Sequence, residues 1–234
     1  MPSKRPKVYE EVVATLEHII DRDNLTAGDR LPSESELAEM MEVGTRSIRE
    51  AYTTLRTMGI VEVQHGKGIF LAENSMDHFL ESLATSIKFT YSDTRTLLLE
   101  LTDVRLLIET GIIHDFALQR SDEDIKNLTA IVDDMRKFNT DQDLNNFNLK
   151  DLEFHAYLVQ SIPNRIIKSL YIHLQRLLRQ SIELTQYYGG EESLCLDQHK
   201  MMLELIEKGD GEGARRVLFE HLRRTRNTVE SLEL

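Results

Sequence analysis

Four polar residues fall where the helical periodicity of this 234-residue chain calls for apolar ones. Asp151 and His155 stand four apart, so they project from one face of a helix that Leu158, Val159 and Ile162 continue. His199 shares a stripe with Met202, Leu203 and Ile206, and His221 lies in line with Val217 and Leu218. Three helices thus each turn a ligand-type side chain inward. A buried carboxylate is costly, and three imidazoles around it are hard to satisfy by mutual hydrogen bonds. A divalent cation resolves both problems. One carboxylate oxygen and three imidazole nitrogens suit zinc first, and also nickel, manganese, iron or cobalt, with water or an anionic ligand in the remaining positions. The alternative is four core polar groups, each satisfied separately.

Arg105 is the next residue with chemistry to offer. It falls between Leu101 and Ile108 on an inward face, with Glu109 four residues on. It reads either as a structural ion pair with Glu109 or as a fork for a ligand carboxylate, a group that guanidinium binds through two parallel hydrogen bonds. His173, on a stripe with Ile166, Leu170 and Leu177, either lines the same cavity or packs in the core, and packing is the simpler reading.

The elements that must position these residues follow from punctuation. Ser92-Asp93, Ser121-Asp122, Pro163-Asn164, Gly189-Gly190 and Gly209-Asp210-Gly211 divide the chain beyond residue 75 into helices near 76–89, 94–119, 122–138, 143–161, 164–187, 193–208 and 211–231. Short turns between them imply antiparallel neighbours and a bundle of six or seven helices. The loop at Tyr187-Tyr188-Gly189-Gly190 is a candidate cover for a ligand.

Upstream, the pattern is that of a nucleic-acid grip. Ser33 can cap a helix that Glu36 closes as a capping box, and Val43-Gly44 breaks it. A second helix from about Thr45 carries Ile48, Ala51, Tyr52, Leu55 and Met58 at 3.6-residue spacing, with Arg46, Arg49 and Arg56 largely off that stripe. Thr45, Arg46, Ser47 and Arg49 would meet a major groove, as basic and small polar groups at an exposed helix start do. Two β-prone runs, Ile60 to Gln64 and Ile69 to Leu71, flank a tip of His65, Gly66, Lys67 and Gly68, which reads as a hairpin whose lysine neutralises phosphate. The amphipathic stretch Val8 to Ile20 packs behind, with Leu37, Met40 and Met41 inward on the capped helix. The predicted fold is mostly α: a winged helix-turn-helix over 1–75 followed by an all-helical bundle over 76–234.

Composition narrows the class. The single cysteine, Cys195, excludes an intramolecular disulfide and fits a reducing compartment, and no stretch approaches the ~20 apolar residues of a membrane span, so a cytoplasmic protein is expected. The net charge of −12 argues against DNA at first sight. Placement matters more than the total: Arg46, Arg49, Arg56 and Lys67 outnumber the acidic groups between Glu42 and Phe70, and Lys4, Arg5 and Lys7 add a second basic cluster. Acid elsewhere should weaken non-specific binding, which is mostly electrostatic.

Leu31-Pro32-Ser33-Glu34, Glu36-Leu37-Ala38, Ile48-Arg49-Glu50-Ala51, Leu55 and Gly59-Ile60-Val61 closely resemble the DNA-binding domain of GntR-family transcription regulators. Two positions depart from the family: Ser35 stands where members commonly carry arginine, and Thr45-Arg46 where they carry an Arg-Thr pair. The resemblance implies that these positions meet DNA, so the binding mode is expected to transfer and the operator sequence is not. Asp151-x-x-Phe154-His155, Asn164, His199 and His221 resemble the FCD-type effector domain of one branch of that family. In its metal-binding members an Asp and three His hold the ion, and the Asp103-Val104-Arg105 pattern with Glu109 places an arginine at the effector cavity. The resemblance implies a homodimer on a palindromic double-stranded DNA operator, controlled by a small organic acid that the metal and Arg105 clamp together, with repression the commoner behaviour. A regulator that senses the cation itself is the alternative, and a metal-dependent hydrolase a more distant one.

Overall fold

The computed structural model describes residues 8–73, 75–185 and 192–231. The basic cluster Lys4, Arg5 and Lys7 and the loop Tyr187-Tyr188-Gly189-Gly190 lie outside them. The chain divides into two compact units, residues 1–83 and 84–234, a division that falls inside a helix rather than at the 75/76 boundary expected from the sequence.

The first unit holds α1 (Val8–Asp23), β1 (Arg30–Leu31), α2 (Glu34–Met40), α3 (Thr45–Thr57), β2 (Val61–Gln64) and β3 (Gly68–Leu71). Ser33 caps α2 and Glu36 returns to the Ser33 backbone, completing the capping box. Its core is apolar throughout: Val12, Leu16 and Ile19 of α1 meet Leu37, Ile48, Ala51, Tyr52 and Leu55. The antiparallel sheet has the order β1-β3-β2, and Gln64 pairs with Gly68 across the tip. Gly66 sits at φ +74°, in the left-handed region that lets a three-residue tip close. Strand β1 lies where the sequence pattern predicts no element. Only its pairing with Phe70 and Ile69 of β3 makes it a strand. Two methionines expected inward face out, Met40 at 54% and Met58 at 41% exposure. On the short α2 the buried side is set by Leu37 and Ala38, and Met40 lies about 100° away from it.

Helix α4 (Ser75–Thr90) is followed by α5 (Thr94–Gln119), α6 (Asp122–Thr140), α7 (Leu144–Gln160), α8 (Arg165–Thr185), α9 (Glu192–Lys208) and α10 (Gly211–Ser231). Asp93, Ser121 and Asp143 cap α5, α6 and α7 with their side chains. Helix α5 is central and packs against α7, α8, α9 and α10. Gly211 makes the α5–α10 approach possible, because a Cβ there would lie 2.7 Å from the carbonyl oxygen of His114. Ile113, Phe116, Leu128, Met135, Phe147, Phe154, Met202, Ile206 and Leu218 form the main apolar core. A smaller cluster of Leu97, Leu98, Leu101, Leu152, Leu177, Leu178 and Val229 lies beside it. No helix among the described residues is long and apolar enough to cross a membrane.

Candidate metal centre and nucleic-acid interface

Three helices bring the predicted ligands to one point. Asp151 and His155 come from α7, His199 from α9 and His221 from α10, and all four are at most 2% exposed. Asp151 Oδ1 lies 3.7 Å from His155 Nε2, 3.3 Å from His199 Nε2 and 3.7 Å from His221 Nε2. The Nε2 atoms of His155 and His221 are 3.2 Å apart. An ion with bonds of about 2.0–2.1 Å in tetrahedral geometry holds its ligand atoms about 3.4 Å apart, so these spacings fit one.

The other ring nitrogen of each histidine faces an oxygen. His155 Nδ1 donates to Glu109 Oε2 at 2.6 Å, His199 Nδ1 to the Cys195 carbonyl at 2.9 Å and His221 Nδ1 to Gln198 Oε1 at 3.2 Å. In each neutral imidazole the hydrogen is therefore on Nδ1, and Nε2 offers a lone pair toward Asp151. His199 Nε2 is fully buried and makes no hydrogen bond. Converging lone pairs beside a carboxylate oxygen repel one another unless positive charge lies between them, so the donor set suits a divalent cation.

Electrostatics point the same way for two of the three imidazoles. Burial carries His199 down to about 4 against the pull of Asp151, and carries His221 well below its usual range. Both are neutral at pH 7, as ligands must be. Burial and Arg105 push His155 down, but the carboxylates Glu109 and Asp151 together outweigh them and raise it. Burial pushes Asp151 up, but its contact with His155, the imidazole whose own value is raised, holds it well below the ordinary carboxylate range.

Arg105 and His173 are both buried. Arg105 Nε donates to Glu109 Oε1 at 2.7 Å, and Tyr171 Oη donates to the same oxygen at 2.6 Å. Burial alone would raise Glu109, but Arg105, His155 and Tyr171 hold it at about 2. The ion pair, one of the two readings of Arg105, is thus present, and it belongs to a chain that runs from Arg105 through Glu109 to His155. Arg105 also lines a cavity of about 10 Å³, the scale of a single water, with Leu101, Val104, Tyr171, Leu174, Gln175 and Leu178. His173 is not among its lining residues.

Two residues of this centre escaped the sequence reading. Glu109 appeared there only as a partner for Arg105, whereas its second oxygen orients His155. Cys195 appeared only as an unpaired cysteine. It is buried four residues before His199, and it forms with Asp151, His199 and His221 a set whose ligand atoms all lie within 4.8 Å of one another. The i, i+4 spacing from His199 was the available signal.

In the first unit the chemistry is on the surface. Thr45 and Arg46 open α3 in exposed positions, Ser47 is half-buried, and Arg49 is exposed and bonded to Glu34 of α2 at 2.9 Å. Arg46 pairs with Glu50. Ser35 is exposed on α2, and His65, Gly66 and Lys67 form the exposed hairpin tip. Tyr52 Oη donates to the Pro32 carbonyl at 2.6 Å, which fixes α3 against the start of α2.

Residues 8–71 match the model of the gntR family of bacterial regulatory proteins, and residues 100–224, more than half of the chain, match that of the FCD domain. The chain belongs to the GntR family. Within it, the repressor NanR of Cronobacter sakazakii is 28% identical over 99% of this chain and 88% of its own. The galactonate operon transcriptional repressor of Escherichia coli is 26% identical over 88% of this chain and 89% of its own. The solved structure of a GntR protein from Streptococcus agalactiae superposes with a TM-score of 0.65 at 26% identity, covering 94% of this chain and 99% of that one. This family member is accordingly a DNA-binding transcription regulator and not an enzyme, which removes the hydrolase alternative.

Proposed function

We propose that this regulator is a repressor whose helical unit holds a divalent cation on Asp151, His155, His199 and His221, and that a small organic acid bound beside that cation lowers its affinity for a palindromic operator. The convergence of three Nε2 atoms on Asp151 Oδ1 carries the reading. Zinc is the cation that an oxygen and three imidazoles suit first. The bound cation supplies a point of attachment for a carboxylate or hydroxyl oxygen.

The chain's own residues supply the rest. Arg105 is the second attachment point, and it is already engaged by Glu109. An acid that competes with Glu109 for the guanidinium disturbs the carboxylate that orients His155. Ligand binding and cation geometry are therefore coupled through two hydrogen bonds. The name of the galactonate operon repressor makes sugar acids the first class to try. On DNA, Thr45, Arg46, Ser47, Arg49 and Ser35 would face the major groove, with His65, Gly66 and Lys67 at its edge, in a homodimer that reads two half-sites.

A cation-sensing regulator is the second reading. The cavity beside Arg105 favours it, since among the described residues it has about 10 Å³, the scale of a water rather than of an acid. Fluorescence anisotropy on operator DNA separates the two. Under the first reading, galactonate or another aldonic acid weakens binding by zinc-loaded protein about 5- to 150-fold, the range of ordinary allosteric coupling, and Arg105→Ala abolishes the response. Binding that follows zinc removal and ignores every acid supports the second.

A further inference from the structure

We infer that Cys195 is a fifth donor to the cation site, a thiolate that biases it toward zinc and cobalt and away from manganese. This rests on the cation reading above and adds a residue to it.

Three observations carry it. The Cys195 sulfur lies 3.4 Å from Asp151 Oδ1, the same oxygen that faces all three imidazoles. In a five-coordinate zinc site, bonds of about 2.3 Å to sulfur and 2.0–2.1 Å to oxygen at angles of about 90–120° set those two atoms about 3.1–3.8 Å apart, so sulfur and carboxylate already stand at the separation of shared ligands. Cys195 and His199 occupy successive turns of one face of α9, and the fully buried His199 Nε2, which makes no hydrogen bond, points at that same oxygen. Finally, two overlapping quartets share Asp151, His199 and His221, one completed by His155 and the other by Cys195.

A cysteine packed only as a small apolar group would be equally buried. A thiol hydrogen bond to the carboxylate accounts for the 3.4 Å contact by itself, and it is the convergence of His199 and His221 on the same oxygen that makes the sulfur one of a ligand set. Coordination replaces that contact: the sulfur–hydrogen bond breaks, the proton leaves to solvent and the sulfur lone pair takes the cation. Thiolate is a soft donor that favours zinc over manganese, whereas an oxygen and imidazole set discriminates less.

Cobalt(II) tests this directly in the metal-free full-length protein. Wild type should develop visible ligand-field bands together with a near-ultraviolet thiolate-to-cobalt charge-transfer band. That band has one possible source, because the chain contains a single cysteine. Cys195→Ser should keep the visible bands, lose the near-ultraviolet one and bind zinc at least about tenfold more weakly, with manganese affinity little changed. Visible bands without charge transfer in wild type would overturn the inference and leave the Asp/His site standing, whether or not the variant folds. Absence of both would overturn the cation reading itself.

Discussion

The two units of this regulator place their chemistry oppositely. Among the described residues, every buried charged or acid–amide side chain lies in the helical unit: Arg105, Glu109, Asn148, Asp151, His155, His173, His199 and His221 are all under 9% exposed there. The first unit buries an apolar core and leaves Arg46, Arg49, Arg56 and Lys67 on its surface. Surface cations cost a fold almost nothing and reach a polyanion directly. Buried ionic groups carry a desolvation cost that stability alone does not repay. Three of them, His155, His199 and His221, converge on Asp151 Oδ1, an arrangement that the proposed cation would account for.

The contrast breaks most readily at Glu109. Glu109→Ala leaves Arg105 buried without its carboxylate and His155 without its Nδ1 acceptor, and removing one partner of a buried pair costs about 3–5 kcal/mol. Urea denaturation measures it, and a loss below about 1 kcal/mol would show that the polar cluster makes no greater demand than an apolar core.

Acid probes the same cluster without mutation. His199 falls from an ordinary 6.5 to about 4 and His221 is also carried well below its ordinary value, both chiefly by burial, so between pH 6.5 and 4 the unfolded chain binds protons that the folded one does not. Metal-free protein should therefore lose stability as pH drops through that window. His155 acts in the opposite sense, because its raised value contributes stability that is lost as pH rises. Chemical denaturation at pH 7, 6 and 5 should show a decline, and flat stability would mean the imidazoles are not held neutral by burial.

The expectation reverses for the first unit. Arg49→Ala removes an exposed pair with Glu34 and should leave stability and metal content unchanged, while operator affinity falls by about 1–3 kcal/mol if the side chain meets a base edge. Anisotropy beside a melting curve decides it, since a large drop in melting temperature would make Arg49 a strut between α2 and α3. The smallest effect is expected at the cap: Ser33→Ala should cost about 1 kcal/mol.

Elements that depend on local pattern were legible in the sequence. The helix over 94–119, the Ser33–Glu36 capping box and the inward faces at Asp151, His155, His199 and His221 all follow from spacing within one segment. What stayed hidden depends on partners far along the chain. Strand β1 exists because β3 lies beside it, 40 residues later. The second role of Glu109 needs His155, 46 residues away, and Tyr171, 62 away. Cys195 is ordinary until α7 brings Asp151 to its sulfur. Periodicity says which way a side chain points, and only packing says what it meets.

Anomalous diffraction at the zinc edge from crystals of zinc-loaded protein tests the central claim most directly. The account predicts one strong peak per chain, within bonding distance of Asp151 Oδ1 and the Nε2 atoms of His155, His199 and His221. A peak elsewhere, or none among those four side chains at full zinc loading, would contradict it.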